Sequence, residues 1–228
     1  MAREYAVIFK ENLPIPLSAF TYEGFQDWVF SDEFPDTGRI DFVAGDVEVE
    51  VSPEDLYTHA VVKAAIAKTL QALISDGDRG EVYIDRTRVL SPAAGLSVEP
   101  DVVAVLWDSF AAGRVRAVPS ARQGSEGFVA VEGTPDVIVE IVSDSSKKKD
   151  TAILPRLYAR AGMPELWLTD ARGREIRFSI RSLQDGEYVT READAESWVS
   201  SSRLGGAFRL IRLPTPHGHW RYVLEHRP

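Results

Sequence analysis

The chain has 228 residues, with 26 Lys+Arg against 35 Asp+Glu, a formal net charge of −9; this excludes a surface that is basic all over and grips nucleic acid everywhere, though not a local basic patch. It has no cysteine, which excludes disulfides, thiolate catalysis and zinc–thiolate sites and leads us to expect a cytoplasmic protein. The hydrophobic fraction is 44% and no apolar run approaches the ~20 residues of a membrane span, so an ordinary globular chain with no membrane partner is expected.

The opening stretch, MAREYAVIFKENLP, lacks the long apolar core of a signal peptide. Thr21 to Ser31 predicts a short amphipathic helix, with Tyr22, Phe25, Trp28 and Val29 near helical spacing. RIDFVAGDVEVEV, from Arg39 to Val51, alternates around Gly45 and predicts a hairpin. Ser52-Pro53-Glu54-Asp55 is a helix-start cluster, and Tyr57 to Ile74 follows with helical periodicity through His59, Val62, Ile66, Leu70 and Leu73. Strands are predicted at Glu81–Ile84, Arg88–Leu90, Asp101–Trp107 and Val137–Val142. Arg156 to Ala161 predicts a helix closed by Gly162, and Glu165 to Thr169 a further strand. Gln184-Asp185-Gly186-Glu187 is a hairpin turn between Ile176–Leu183 and Tyr188–Val189. This order predicts a single α/β domain over residues 1–228, with a central mixed sheet flanked by helices.

Two of these strands carry an acid where an apolar residue is expected. Glu140 interrupts PDVIVEIV, and Asp101 opens DVVAVLW. A carboxylate inside a buried strand is costly unless something pairs with it. If the strands are neighbours, both acids face one point. Two carboxylates with a lysine from Lys147-Lys148-Lys149 are the parts of a magnesium-dependent phosphodiester-cleaving site. Asp136 is four residues from Glu140, so their backbones are separated by ~13 Å along the strand, too far to share one ion. Asp41 on the first hairpin and His59 on the long helix are further candidates at the border of the site. His217 and His219 fall in a Pro/Gly-rich tail and read as surface residues. The blander readings are a turn residue for Asp101, an exposed sheet edge for Glu140 and solvated faces for the arginines of 172–181 and 203–212.

RIDFVAGDVEVEVSP with His59 downstream, EPDVVAV, PDVIVEIVSDSSKKKD, LYARAGMPELWLTD, DGEY and GGAFRLIRL together resemble the Uma-type restriction endonuclease family of the PD-(D/E)XK nuclease superfamily. The resemblance runs from about Tyr22 to Leu213. It implies a restriction-endonuclease-like core and a DNA endonuclease using Mg²⁺, with Mn²⁺ as substitute. By position it makes Asp101 and Glu140 the metal ligands, with the Ile141 carbonyl as a third. Asp41 stands where the family has Glu, and His59 where it has the helix-start His. The family's lysine falls at Leu154, followed by Pro155. A leucine cannot orient a water, so Lys149 is the expected substitute, with Pro155 in the first helical turn and 150–154 as a loop. The alternatives are a weakened relative that binds DNA or protein, and a structural dimer module. DNA is the expected partner, and homodimer formation is left open.

Overall fold

A computed structural model of the chain describes residues 13–36, 38–120 and 126–228, together with the backbone of strand β1 (Tyr5–Ile8). The opening stretch, which lacks a signal-peptide core, lies largely outside the described residues. Strand β2 (Pro14–Pro16) pairs with β1. Helix α1 (Tyr22–Val29) begins where Thr21 Oγ1 accepts the Gly24 N–H at 3.2 Å. Its Phe25, Trp28 and Val29 are buried with Ile40 and Phe42. Those two residues belong to strand β3 (Arg39–Val43), which turns into β4 (Asp46–Glu50). At the turn Ala44 and Gly45 have φ of 55° and 93°, as a primed two-residue hairpin turn requires.

Asp55 caps the next helix by accepting the N–H groups of Tyr57 at 2.9 Å and Thr58 at 2.6 Å. The first turn is wider than the α-helix expected there. Over Leu56–Ala60 the Ala60 N–H reaches back five residues to the Asp55 carbonyl, at 3.0 Å. Helix α2 (Val61–Ile74) continues from it.

The chain then gives β5 (Gly80–Ile84), β6 (Arg88–Ser91), β7 (Leu96–Val98), β8 (Val102–Leu106), the short helix α3 (Trp107–Ala111), β9 (Val115–Pro119), β10 (Phe128–Gly133) and β11 (Val137–Ile141). Helix α4 (Leu154–Ala161) is preceded by a second widened turn, Lys149–Ile153. The loop expected over 150–154 is therefore helical, and Pro155 does sit in the first turn of α4. Strands β12 (Glu165–Asp170), β13 (Arg177–Gln184), β14 (Glu187–Thr190), β15 (Val199–Ser200), β16 (Ala207–Pro214) and β17 (Trp220–Arg227) complete the chain. The Pro/Gly-rich tail is thus the tip of a hairpin; His217 and His219 are exposed there.

Among the described residues the strands form two six-stranded sheets and two smaller ones. One runs β4-β3-β7-β6-β10-β9, and the other β14-β13-β12-β11-β8-β5. In the second, β11 lies parallel to β12, joined through α4, and antiparallel to β8. Alternation sorts its side chains onto two faces. Val102, Ala104, Val137, Val139, Ile141 and Trp167 pack against α2 and the β16–β17 hairpin. Val103, Val105, Ile138 and Leu166 pack against α4 and the first sheet. By the same parity Asp101 and Glu140 point toward the α4 side.

Asp136, at the other end of β11, has a structural task. It is fully buried and accepts the Leu106 N–H at 2.7 Å and the Ser109 hydroxyl at 2.6 Å, and pairs with Arg203. Asp136→Ala strands all three donors and should cost about 3–5 kcal/mol of stability, read by urea unfolding, with cation affinity unchanged.

Candidate active site

The β8–β11 register pairs Val139 with Val102, and one further step sets Asp101 opposite Glu140. Strand β11 lies between β12 and β8, so Glu140 is 1% exposed and the reading of an exposed sheet edge fails. Asp101 Oδ2 accepts the Ile141 backbone N–H at 2.7 Å. Glu140 Oε1 accepts the Tyr158 hydroxyl at 2.5 Å, from α4. Burial, then the charges of Asp150 and Asp101, push the Glu140 carboxyl well above the usual range. Burial also lifts Asp150, to a pKa of about 6, against the opposing hydrogen bond from Ser146. Burial would raise Asp101 as well, but the His59 hydrogen bond and charge hold it below its ordinary value.

The first sheet meets the second at this point. Asp41 on β3 is 1% exposed and its oxygens are taken up: Oδ1 accepts the Glu99 N–H at 3.0 Å, and Oδ2 accepts Arg39 Nε at 3.1 Å and Lys149 Nζ at 3.2 Å. Against the cost of burial, Arg39 and Lys149 keep Asp41 ionised, its pKa lowered. Of the three lysines, Lys149 turns inward from the widened turn, whereas Lys147 and Lys148 are exposed. Leu154 is fully buried among Ile138, Tyr158 and Leu166.

The first widened turn delivers His59. Its Nε2 lies 3.4 Å from Asp101 Oδ2 and its Nδ1 3.3 Å from Glu54 Oε2. Burial opposes the imidazolium, but Asp101 and Glu54 raise the His59 pKa overall. Lys63 on α2 bridges Glu54 and Asp85, 2.7 Å from each. A cavity of about 500 Å³ opens here. Arg39, Glu54, His59, Asp101, Ile141 and Asp150 are on its wall, while Glu140, Asp41 and Lys149 lie behind it. The structure therefore brings Asp101, Glu140, Ile141, Asp41, His59 and Lys149 to one place. Sequence reasoning missed Arg39, Glu54, Asp150 and Tyr158.

These residues suit a divalent cation on two observations. One ligand atom each from Glu54, His59 and Asp101 lies within 4.8 Å of the others. The buried carboxyls of Asp101, Glu140 and Asp150 also repel one another, a conflict that a cation relieves.

A family model described as "Uma2: Putative restriction endonuclease" matches residues 22–211. The chain belongs to the Uma2 family. No curated protein matches it. Among solved structures, the crystal structure of a putative nuclease belonging to DUF820 from Anabaena variabilis ATCC 29413 is similar, with a TM-score of 0.59. It is 16% identical over 81% of this chain and 90% of that one, a likeness that shows the fold. The Uma2 chain thus has the expected restriction-endonuclease-like α/β architecture. Among its described residues no helix is long and apolar enough to cross a membrane.

Proposed function

We propose that this Uma2 chain is a metal-dependent DNA endonuclease, working as a single unit around the Asp101–Glu140 pair. The observation that carries the reading is two opposed buried acids whose charge is only partly offset by neighbours, beside a cavity also lined by Arg39, Lys63 and Arg86. Asp101 and Glu140 would hold Mg²⁺ or Mn²⁺, with the Ile141 carbonyl as a third ligand and Glu54 and His59 as donors on the solvent side. When bound, such an ion lowers the pKa of water and draws charge from a phosphate. The chain's own groups do the rest. Tyr158 fixes one Glu140 oxygen, and the Ile141 N–H and His59 fix one Asp101 oxygen. Lys149 contributes positive charge from behind Asp41.

The test is a plasmid-nicking assay with Mg²⁺ or Mn²⁺, comparing the wild type with Asp101→Ala. Metal-stimulated nicking lost in the variant is expected. A wild type that leaves plasmid intact with both ions would favour the weakened relative. That second reading rests on Leu154 in the place of the family's lysine.

Cation affinity should also depend on pH, with a definite sign. The Asp150 pKa is raised from 3.8 to about 6, so the metal-free folded chain holds a proton that the unfolded chain has released. Between these values metal-free stability falls as pH rises. A cation must displace that proton, so its affinity should climb through pH 6. Calorimetric titration of Mn²⁺ at pH 5, 6 and 7 measures this, and a flat profile would count against Asp150 and Glu140 alike, since both carboxyls are raised in the metal-free fold.

A further inference from the structure

Arg39 has a place in the site that neither the sequence pattern nor the family match assigns. It stands two residues before Asp41 on β3, so both side chains leave the strand on one face. Its Nε is committed to Asp41 Oδ2 at 3.1 Å. Among the described residues its Nη2 has no hydrogen-bond partner and is itself shielded from solvent, while the side chain as a whole keeps 23% of its surface exposed. The side chain lines the cavity together with Asp101, Ile141 and Asp150. A buried guanidinium nitrogen without an acceptor is costly, and few arrangements leave one unmet. Lys149 shares the same Asp41 oxygen but is not on the wall, whereas Arg39 lines the cavity, as do Lys63 and Arg86.

We infer that Arg39, oriented through Nε by Asp41, forms an anion subsite that takes non-bridging oxygens of a phosphate group. This rests on the nuclease reading and deepens it, because it supplies the charge that Leu154 cannot. The geometry explains why Asp41 is saturated by donors. Its two oxygens anchor the Glu99 backbone and two cations, which makes it a positioning residue. A planar fork with one nitrogen tied back presents its other nitrogens in a fixed plane, which suits a phosphate better than a lysine does. Burial opposes the Arg39 charge, but the acids of the site stand close enough to raise its pKa, so a bound phosphate would lie beside the cation that those acids hold.

The probe is inorganic phosphate, titrated calorimetrically into the full chain with excess Mg²⁺. Arg39→Met should bind phosphate at least ~10-fold more weakly, with Mg²⁺ affinity equal to or above that of the wild type. Arg39→Lys keeps the charge but not the fork and should lose several-fold. If Arg39→Met does not fold, as judged by circular dichroism, Arg39→Lys decides. Wild-type phosphate affinity in Arg39→Lys, wild-type phosphate affinity in a folded Arg39→Met, or no phosphate binding by the wild type, overturns the subsite. Plasmid nicking separates this from the broader reading. Arg39-dependent phosphate binding without nicking supports the subsite and sinks the nuclease. Nicking undiminished in both variants keeps the nuclease and overturns the subsite.

Discussion

Glu140→Gln should bind Mn²⁺ about 100-fold more weakly than the wild type and yet, without metal, resist urea better. Loss of affinity follows because the amide keeps the shape of the side chain and the contact to Tyr158 but removes the charge a cation needs. The size matches the 10–100-fold cost of disturbing even the outer partners of a metal site. The gain in stability follows because Glu140 is ionised at neutral pH in the unfolded chain, whereas in the fold burial and then Asp150 and Asp101 oppose its charge. Since the folded pKa is raised, the penalty acts above the ordinary carboxylate range and vanishes below it. The gain should therefore be about 1–3 kcal/mol at pH 7 and should shrink toward pH 4. Calorimetry and urea unfolding at the two pH values measure both halves. Unchanged Mn²⁺ affinity would remove Glu140 from the ligand set.

Lys149→Met should lower nicking by about 100-fold, or about 2.7 kcal/mol, as loss of an electrostatic stabiliser does. Lys147→Ala and Lys148→Ala should leave it within about twofold, since both side chains are exposed while Lys149 reaches Asp41. If the three variants behave alike, the inward turn of Lys149 has no bearing on activity. Leu154→Lys cannot serve as a simple restoration. That position, the first of α4, is 0% exposed and packs in one cluster with Ile138 of β11, and a lysine there should cost about 3–5 kcal/mol. Its urea midpoint should be read before its activity.

The pairing of Asp101 with Glu140 was legible because each acid breaks an apolar alternation, a signal local to its own strand. The hairpins around Gly45 and Gly186 were legible for a related reason, since their turn chemistry lies within a few residues. What the sequence hid were partnerships between distant segments. Tyr158 reads as one more apolar residue of an amphipathic helix, and its hydroxyl finds Glu140 only once α4 is laid on β11. Glu54 reads as a helix-start acid, the commonest use of such a residue, and Asp150 as the first residue of an expected loop. Arg39 left one trace: an arginine at i−2 from Asp41 on an alternating strand shares its face. The short strands β7 and β15 carry too few residues for a periodicity to register, and the prolines of 214–216 disguised the β16–β17 tip as a tail. The two widened turns were invisible for another reason. A pattern of apolar positions with period 3.6 does not report a single turn that closes five residues back.

Those two turns make the site depend on residue count as well as on residue type. One supplies His59, and the other supplies Lys149 and Asp150. Removing one residue from either segment would let a regular helix form. It would also swing the residues before the cut by about 100° around the axis relative to those after it. Each helix would be better bonded, and the imidazole or the amine would then point away from the acids. No substitution at another position restores that angle. In this fold the spacing between helix and strand is itself a coded quantity, and length changes at residues 56–60 and 149–153 are the mutations least open to compensation.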